Sequence, residues 1–167
     1  MQQLHVGLDQ PQPGLFNPIR NPAYDHANKP GGGLWTSTWI TKKRRSHWVE
    51  WCRSEEVSRL DGTWWLLTPS ADARIYTIDT RADLLYLLST YWREGSVSAW
   101  KHRWIDWEKL SSDYDAVHLT RKGSEVLHSG SPDLNCWDVE STVWLHWVFS
   151  KVAEYKGRKQ NEPNTGQ

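Results

Sequence analysis

Two carboxylates two residues apart, Asp138 and Glu140, stand in the run Trp137-Asp138-Val139-Glu140-Ser141-Thr142, just ahead of an apolar stretch. A carboxylate held among apolar rings can stabilise positive charge that develops during a reaction, or take a proton from an acceptor. Trp137 and Trp144 flank the pair, so Glu140 is the first candidate for such work and Asp138 the second. The plainer alternative is a solvated loop before a strand. A second candidate segment is Trp35-Thr36-Ser37-Thr38, which follows Gly31-Gly32-Gly33. Glycines let backbone come close to a ligand, and Thr36 and Ser37 offer hydroxyls beside it, although both are also ordinary strand residues.

The loop ahead of those glycines carries Arg20, His26 and Lys29. Arginine grips a phosphate bidentately and lysine meets it as a point charge; otherwise these are exposed loop cations. His5 alternates with Leu4 and Val6 and so faces away from them, either as a ligand to a sugar or as a satisfied sheet histidine. Lys42-Lys43-Arg44-Arg45, near Trp39 and Trp48, is either a charge-and-stacking surface for nucleic acid or a partner, or a solvated turn. The histidines at 5, 26, 47, 102, 118, 128 and 146 show no helical metal-ligand spacing, and Cys52 and Cys136 match no ligand pair, so no metal is expected. The glycines lack the Lys-Ser/Thr of a phosphate loop and the strand-first context of a dinucleotide fingerprint. No Gly-x-Ser-x-Gly occurs, so a hydrolase nucleophile elbow is excluded.

These residues need elements to hold them. Residues 4–8 and 34–40 alternate or are dense in β-branched and aromatic residues, which predicts strands on either side of a long loop over 9–33. Long loops in small domains are functional or disordered, and the cations favour function. Ser46 can cap a short helix that puts Trp48, Trp51 and Cys52 on one face, expected to be core. Turn signals at Asp61-Gly62 and Pro69-Ser70 separate strands over 63–68 and 73–79. Thr80 and Asp83 form a capping box before a helix with Leu84, Leu85, Leu87, Leu88 and Tyr91. Residues 92–105 read partly as loop, 106–110 as a helical turn or two, and 114–120 as a strand. A hairpin through Lys122-Gly123 returns over 125–128. After a loop over 129–133, residues 142–149 read as one final buried strand. Strands outnumber helices, which predicts an α+β fold with a mostly antiparallel sheet.

At 167 residues the chain suits one domain, expected over 1–155, with a disordered polar tail over 156–167. Twenty basic and twenty acidic residues cancel, so any attraction to nucleic acid must be local. No apolar run is long enough to cross a membrane, which predicts a soluble protein, and two thiols are too few for a disulfide scaffold, which makes a reducing cytoplasm the default; a monomer is expected. Thirteen tryptophans against two phenylalanines imply a rigid core whose indole N–H groups need partners.

The order of three features resembles the ADP-ribosyltransferase superfamily: a polar residue on or after the first strand, a glycine-led Trp-Thr-Ser-Thr strand, and an Asp-x-Glu entering a late strand. The resemblance implies a split sheet and a mono-ADP-ribosyltransferase that uses NAD as substrate and modifies a macromolecular acceptor, either a protein side chain or a nucleic-acid base. It places His5 or Arg20 as the first motif, Thr36 and Ser37 as the second and Glu140 as the third. His5, Arg20, Lys29, Trp35, Thr36 and Ser37 are then the residues that bind NAD. Glu140 would stabilise an oxocarbenium-like transition state, with Asp138 orienting or deprotonating the acceptor. Members that modify arginine carry Glu-x-Glu and others Gln-x-Glu, whereas this chain has Asp138-Val139-Glu140. The competing expectation is a binding module or inhibitor without catalysis, working through Lys42, Lys43, Arg44, Arg45 and the nearby tryptophans.

Overall fold

The computed structural model describes residues 2–23, 28–57, 60–93, 104–127, 134 and 136–157. Local signals set several boundaries. Ser46 accepts from Val49 N and starts helix α1 (His47–Ser54). Thr80 and Asp83 close a reciprocal capping box on α2 (Arg81–Thr90). Asp106 accepts from Lys109 N at the head of α3 (Trp107–Asp113). Each cap supplies a partner to a backbone N–H that the helix itself leaves unsatisfied.

The strands are β1 (Gln2–Gly7), β2 (Leu34–Trp39), β3 (Thr63–Pro69), β4 (Ile75–Ile78), β5 (Ala116–Leu119), β6 (Ser141–Trp144) and β7 (Phe149–Glu154). They form a seven-stranded sheet in the order β4-β5-β6-β2-β1-β3-β7. Only β4 and β5 run parallel; every other neighbouring pair is antiparallel. Among the described residues the fold is therefore α+β, with a mixed, mostly antiparallel sheet of seven strands and four α-helices. Among them no helix is long and apolar enough to cross a membrane.

Two expectations fail. Residues 121–127, read as half of a hairpin, are helix α4 (Arg121–Leu127). Thr120 Oγ1 accepts from Gly123 N at 2.9 Å, and Arg121 pairs with Glu125 one turn on. Gly123 marks a close approach, because a Cβ there would lie 2.2 Å from the Ile78 carbonyl oxygen. The run 142–149 is two strands, not one. At its middle the chain bends where Leu145 N and His146 N both donate to Asp115 O, at 2.8 and 3.3 Å. β6 then lies inside the sheet and β7 at its edge beside β3. The sequence readings over 94–103 and 128–133, His26, and the tail beyond 157 lie outside the described residues.

The sheet forks. β1 and β2 pair only through Gln2↔Trp39, Gln3↔Thr38 and Leu4↔Ser37. Beyond that point β1 continues on β3 as far as Gly7↔Thr63, and β2 continues on β6 from Thr36 to Leu34. Each branch has its own apolar cluster. One gathers Ile78, Leu84, Leu87, Leu110, Val117 and Val143 under the β4–β5–β6 branch; the other joins Leu4, Trp39, Val49 and Trp64 on the β1–β3 side. Burying one such aliphatic side chain fully contributes about 1.5–3 kcal/mol, so each branch is held by its own packing.

Candidate functional site

A cavity of about 320 Å³ opens where β1 and β2 part, at the small end of the range for ligand pockets. His5 spans the fork: its Nδ1 lies 2.9 Å from the Trp35 carbonyl oxygen. A carbonyl only accepts, so Nδ1 carries the proton and Nε2 of the neutral ring is left as an acceptor. Burial lowers the His5 pKa and outweighs the opposing effect of the Trp35 bond, which favours that neutral ring. Leu4, His5 and Val6 all line the cavity, so the strict alternation expected for His5 does not decide its surroundings here.

On the other branch Ser37 Oγ donates to Glu140 Oε2 at 2.6 Å, and Thr38 N donates to Oε1 at 3.0 Å. Trp48 N, in the first turn of α1, donates to the same Ser37 Oγ at 3.4 Å. The serine thus joins the helix to the carboxylate. Ser37 and Glu140 are 2% and 3% exposed, so this pair is shielded from water and its charge-assisted bond is a strong one. Ser37 lines the cavity, as do Val139 and Ser141 on either side of Glu140; the carboxylate itself stands one side chain in, behind Ser37.

Asp138 also lines the cavity but is exposed, and residues 137–140 precede β6 instead of belonging to it. Their two-residue spacing would put Asp138 and Glu140 on one side of a strand, and because neither lies in β6 it does not. Free of strand alternation, the segment turns Glu140 into the protein and leaves Asp138 at the rim.

Thr36 and Ser37, read together from the sequence, have separate duties. Thr36 Oγ1 donates to Gln3 Oε1 at 2.7 Å and accepts from Trp144 Nε1 at 2.8 Å, so its hydroxyl is spent inside the protein. Trp35 stands at the cavity wall edge-on to Trp137, ring centres 4.7 Å apart, with Lys29 Nζ 5.3 Å above its face. Trp137 is fixed by its Nε1 donating to Asn28 O at 2.8 Å. Trp48 and Trp51, expected in the core, are half-buried and line the cavity.

Arg20 is not brought to the cavity. It is exposed, its backbone bridges to Gly31, and its guanidinium donates to Ile19 O. Nor do the glycines line the cavity: Gly32 and Gly33 have φ of +78° and +73°, and a Cβ on them would lie 2.3 Å from Pro18 O and 2.6 Å from Trp144 O. Their freedom serves backbone packing against backbone. Lys42 and Lys43 sit in a 3-10 turn capped by Arg44, and all three are exposed. Arg45 is tied to Glu50 by a 2.8 Å ion pair.

Sequence reasoning passed over His118 on β5. Its Nδ1 lies 2.7 Å from Thr142 Oγ1 and 3.7 Å from Glu140 Oε1, with the side chain 12% exposed. Burial lowers its pKa, while Glu140, Asp79 and a bond to the Ser141 main chain raise it. The sequence signal is thin: His118 alternates with Val117 and Leu119 and so faces away from them, and alternation alone does not say that its own face is covered. Among the described residues no three His, Cys, Asp or Glu side chains gather as a metal site. Comparison with protein-family models, with curated proteins and with solved structures finds no match.

Proposed function

We propose that the forked cavity binds NAD and that the protein is a mono-ADP-ribosyltransferase, passing ADP-ribose to a macromolecular acceptor. The observation that carries this reading is the 2.6 Å bond between Ser37 Oγ and the buried Glu140 carboxylate at the cavity wall. Breaking the nicotinamide–ribose bond leaves a sugar with oxocarbenium character, and a fixed anion out of water lowers the energy of that cation far more than a solvated one would. A ribose seated against Ser37 is one hydroxyl away from the carboxylate. His5 Nε2 accepts a ribose hydroxyl, and Trp35, Trp48 and Trp51 offer flat faces to the nicotinamide. Lys29 meets the pyrophosphate as a point charge. Asp138, at the rim where an acceptor arrives, orients it or takes its proton. As the ribose–nitrogen bond breaks, its electron pair leaves with neutral nicotinamide, and the acceptor's lone pair forms the new bond at the same carbon.

The test is to incubate the protein with labelled NAD and measure nicotinamide release and transfer of label, beside calorimetric binding of NAD. Glu140→Gln should bind NAD and lower the rate by roughly a hundredfold or more. Failure of the wild-type chain to bind NAD, or a Glu140→Gln variant with full activity, sinks the proposal.

A further inference from the structure

Behind the Ser37–Glu140 pair the carboxylate has a second neighbour that the reaction as described does not use. His118 reaches Glu140 from β5, and the groups facing the imidazole come from three other elements. Glu140 immediately precedes β6 and Ser141 and Thr142 begin it, Asp79 follows β4, and Lys122 comes from α4 through Asp79. Asp79 also favours the charged ring, but it is itself held by Thr120 Oγ1 at 2.7 Å and Lys122 Nζ at 2.6 Å, so its charge is already met by a lysine. Thr142 Oγ1, 2.7 Å from Nδ1, is uncharged and accepts or donates as the ring requires. Among the described residues, the anion with no cation already on it that a charged His118 would meet is Glu140, with Oε1 3.7 Å away.

The geometry points to His118 as a positioning residue whose protonation takes Glu140 out of service. With the ring neutral, the carboxylate stays on Ser37 Oγ and Thr38 N, at 2.6 and 3.0 Å. When His118 binds a proton, Nδ1 is a donor with positive charge. A charge-assisted N–H···O bond draws its partners to about 2.7–2.9 Å, which asks Oε1 to move by roughly 0.9 Å. Movement of that size at a reacting centre costs on the order of a hundredfold in rate, and the added charge cancels the field that an oxocarbenium needs. Burial pulls the His118 pKa below the usual imidazole value, so the neutral, working form prevails at neutral pH and the arrested form arises in acid.

The catalytic consequence rests on the role given to Glu140 above; the coupling of the two side chains does not. Carbon- and nitrogen-edited NMR of the full wild-type chain follows the His118 ring and the Glu140 carboxyl carbon from neutral pH into acid. The carboxyl carbon should step through the same midpoint as the imidazole, and Glu140→Gln should lower that midpoint because it removes a favourable neighbour. A Glu140 signal that ignores the His118 titration overturns the inference without any assay of activity. The second arm measures NAD cleavage against pH for wild type and His118→Asn, whose smaller neutral amide keeps a polar group near the Nδ1 position and does not titrate. One pH unit below the midpoint the wild type should retain about a tenth of its rate, whereas His118→Asn should show no such limb. An acid limb of equal position in both proteins also overturns it. Coupled NMR titrations with no NAD cleavage at any pH would leave the coupling standing and reject the function instead.

Discussion

Thr36→Val and Ser37→Ala remove neighbouring hydroxyls from one strand, and the structure predicts opposite outcomes. The Thr36 hydroxyl joins Gln3 Oε1 to Trp144 Nε1 through bonds of 2.7 and 2.8 Å, among side chains that are 5% exposed or less. Valine fills the space and leaves both partners orphaned, beside a Gln3 Nε2 that has no hydrogen-bond partner among the described residues. Each stranded group costs about 1–3 kcal/mol, so the loss should be about 2–6 kcal/mol. Against a total stability of about 5–15 kcal/mol, that is a large share. A loss of about 4 kcal/mol lowers Tm by about 8–16 °C in a chain of this size. Ser37→Ala takes one bond from a carboxylate that keeps Thr38 N, worth about 1.5–3 kcal/mol. Its larger effect should be on NAD cleavage, roughly a hundredfold, because Glu140 is then free to move. Urea unfolding at constant m-value measures the first effect and nicotinamide release the second. The reasoning is refuted if folded Thr36→Val lies within about 1 kcal/mol of wild type, or if it loses cleavage as fully as Ser37→Ala.

Acid should destabilise the fold in two separate steps. His5 and His118 both have pKa values lowered from 6.5 by burial, so the unfolded chain takes up protons first as pH falls. Their contribution is whole above 6.5 and is lost as pH drops below it towards the folded-state values; Tm scans should show this, and His5→Asn with His118→Asn should flatten it. Asp79, Asp83 and Asp115 are lowered from 3.8, chiefly by side-chain bonds to Lys122, Thr80 and Arg74, so their contribution persists above 3.8 and falls away only in stronger acid. Gly123→Ala should reverse the usual sign of a helical glycine replacement. A gain of about 1 kcal/mol is the norm in a helix, but here the new methyl meets the Ile78 backbone, and a loss of about 1–3 kcal/mol is expected in denaturant titration.

The elements legible in the sequence are those whose signals are local. Ser46, Thr80 and Asp106 cap their helices within three or four residues of themselves, and such contacts can be read from spacing alone. Gly123 misled for the same reason: a glycine between polar residues resembles a turn, and only the neighbouring β4 backbone explains its place in a helix. The break after β6 is likewise set from a distance, by the carbonyl of Asp115. In the site, Glu140 and Ser37 could be paired in advance through the order of features along the chain. The division of labour between Thr36 and Ser37, and the place of His118, depend on which face of which strand looks into the fork, and that is a property of the assembled sheet.

Three residue pairs stitch β1 to β2, and a separate apolar store anchors the chain on each side of that short seam. A molecule lodged in the fork touches His5 on one limb and Ser37 on the other, so it acts as a rivet across a joint that is otherwise thinly sewn. Prying the limbs apart then costs the ligand's binding free energy as well, a term that grows logarithmically with its concentration. Amide exchange along the seam should therefore slow on occupancy more than exchange deep within either store, where opening already approaches global unfolding.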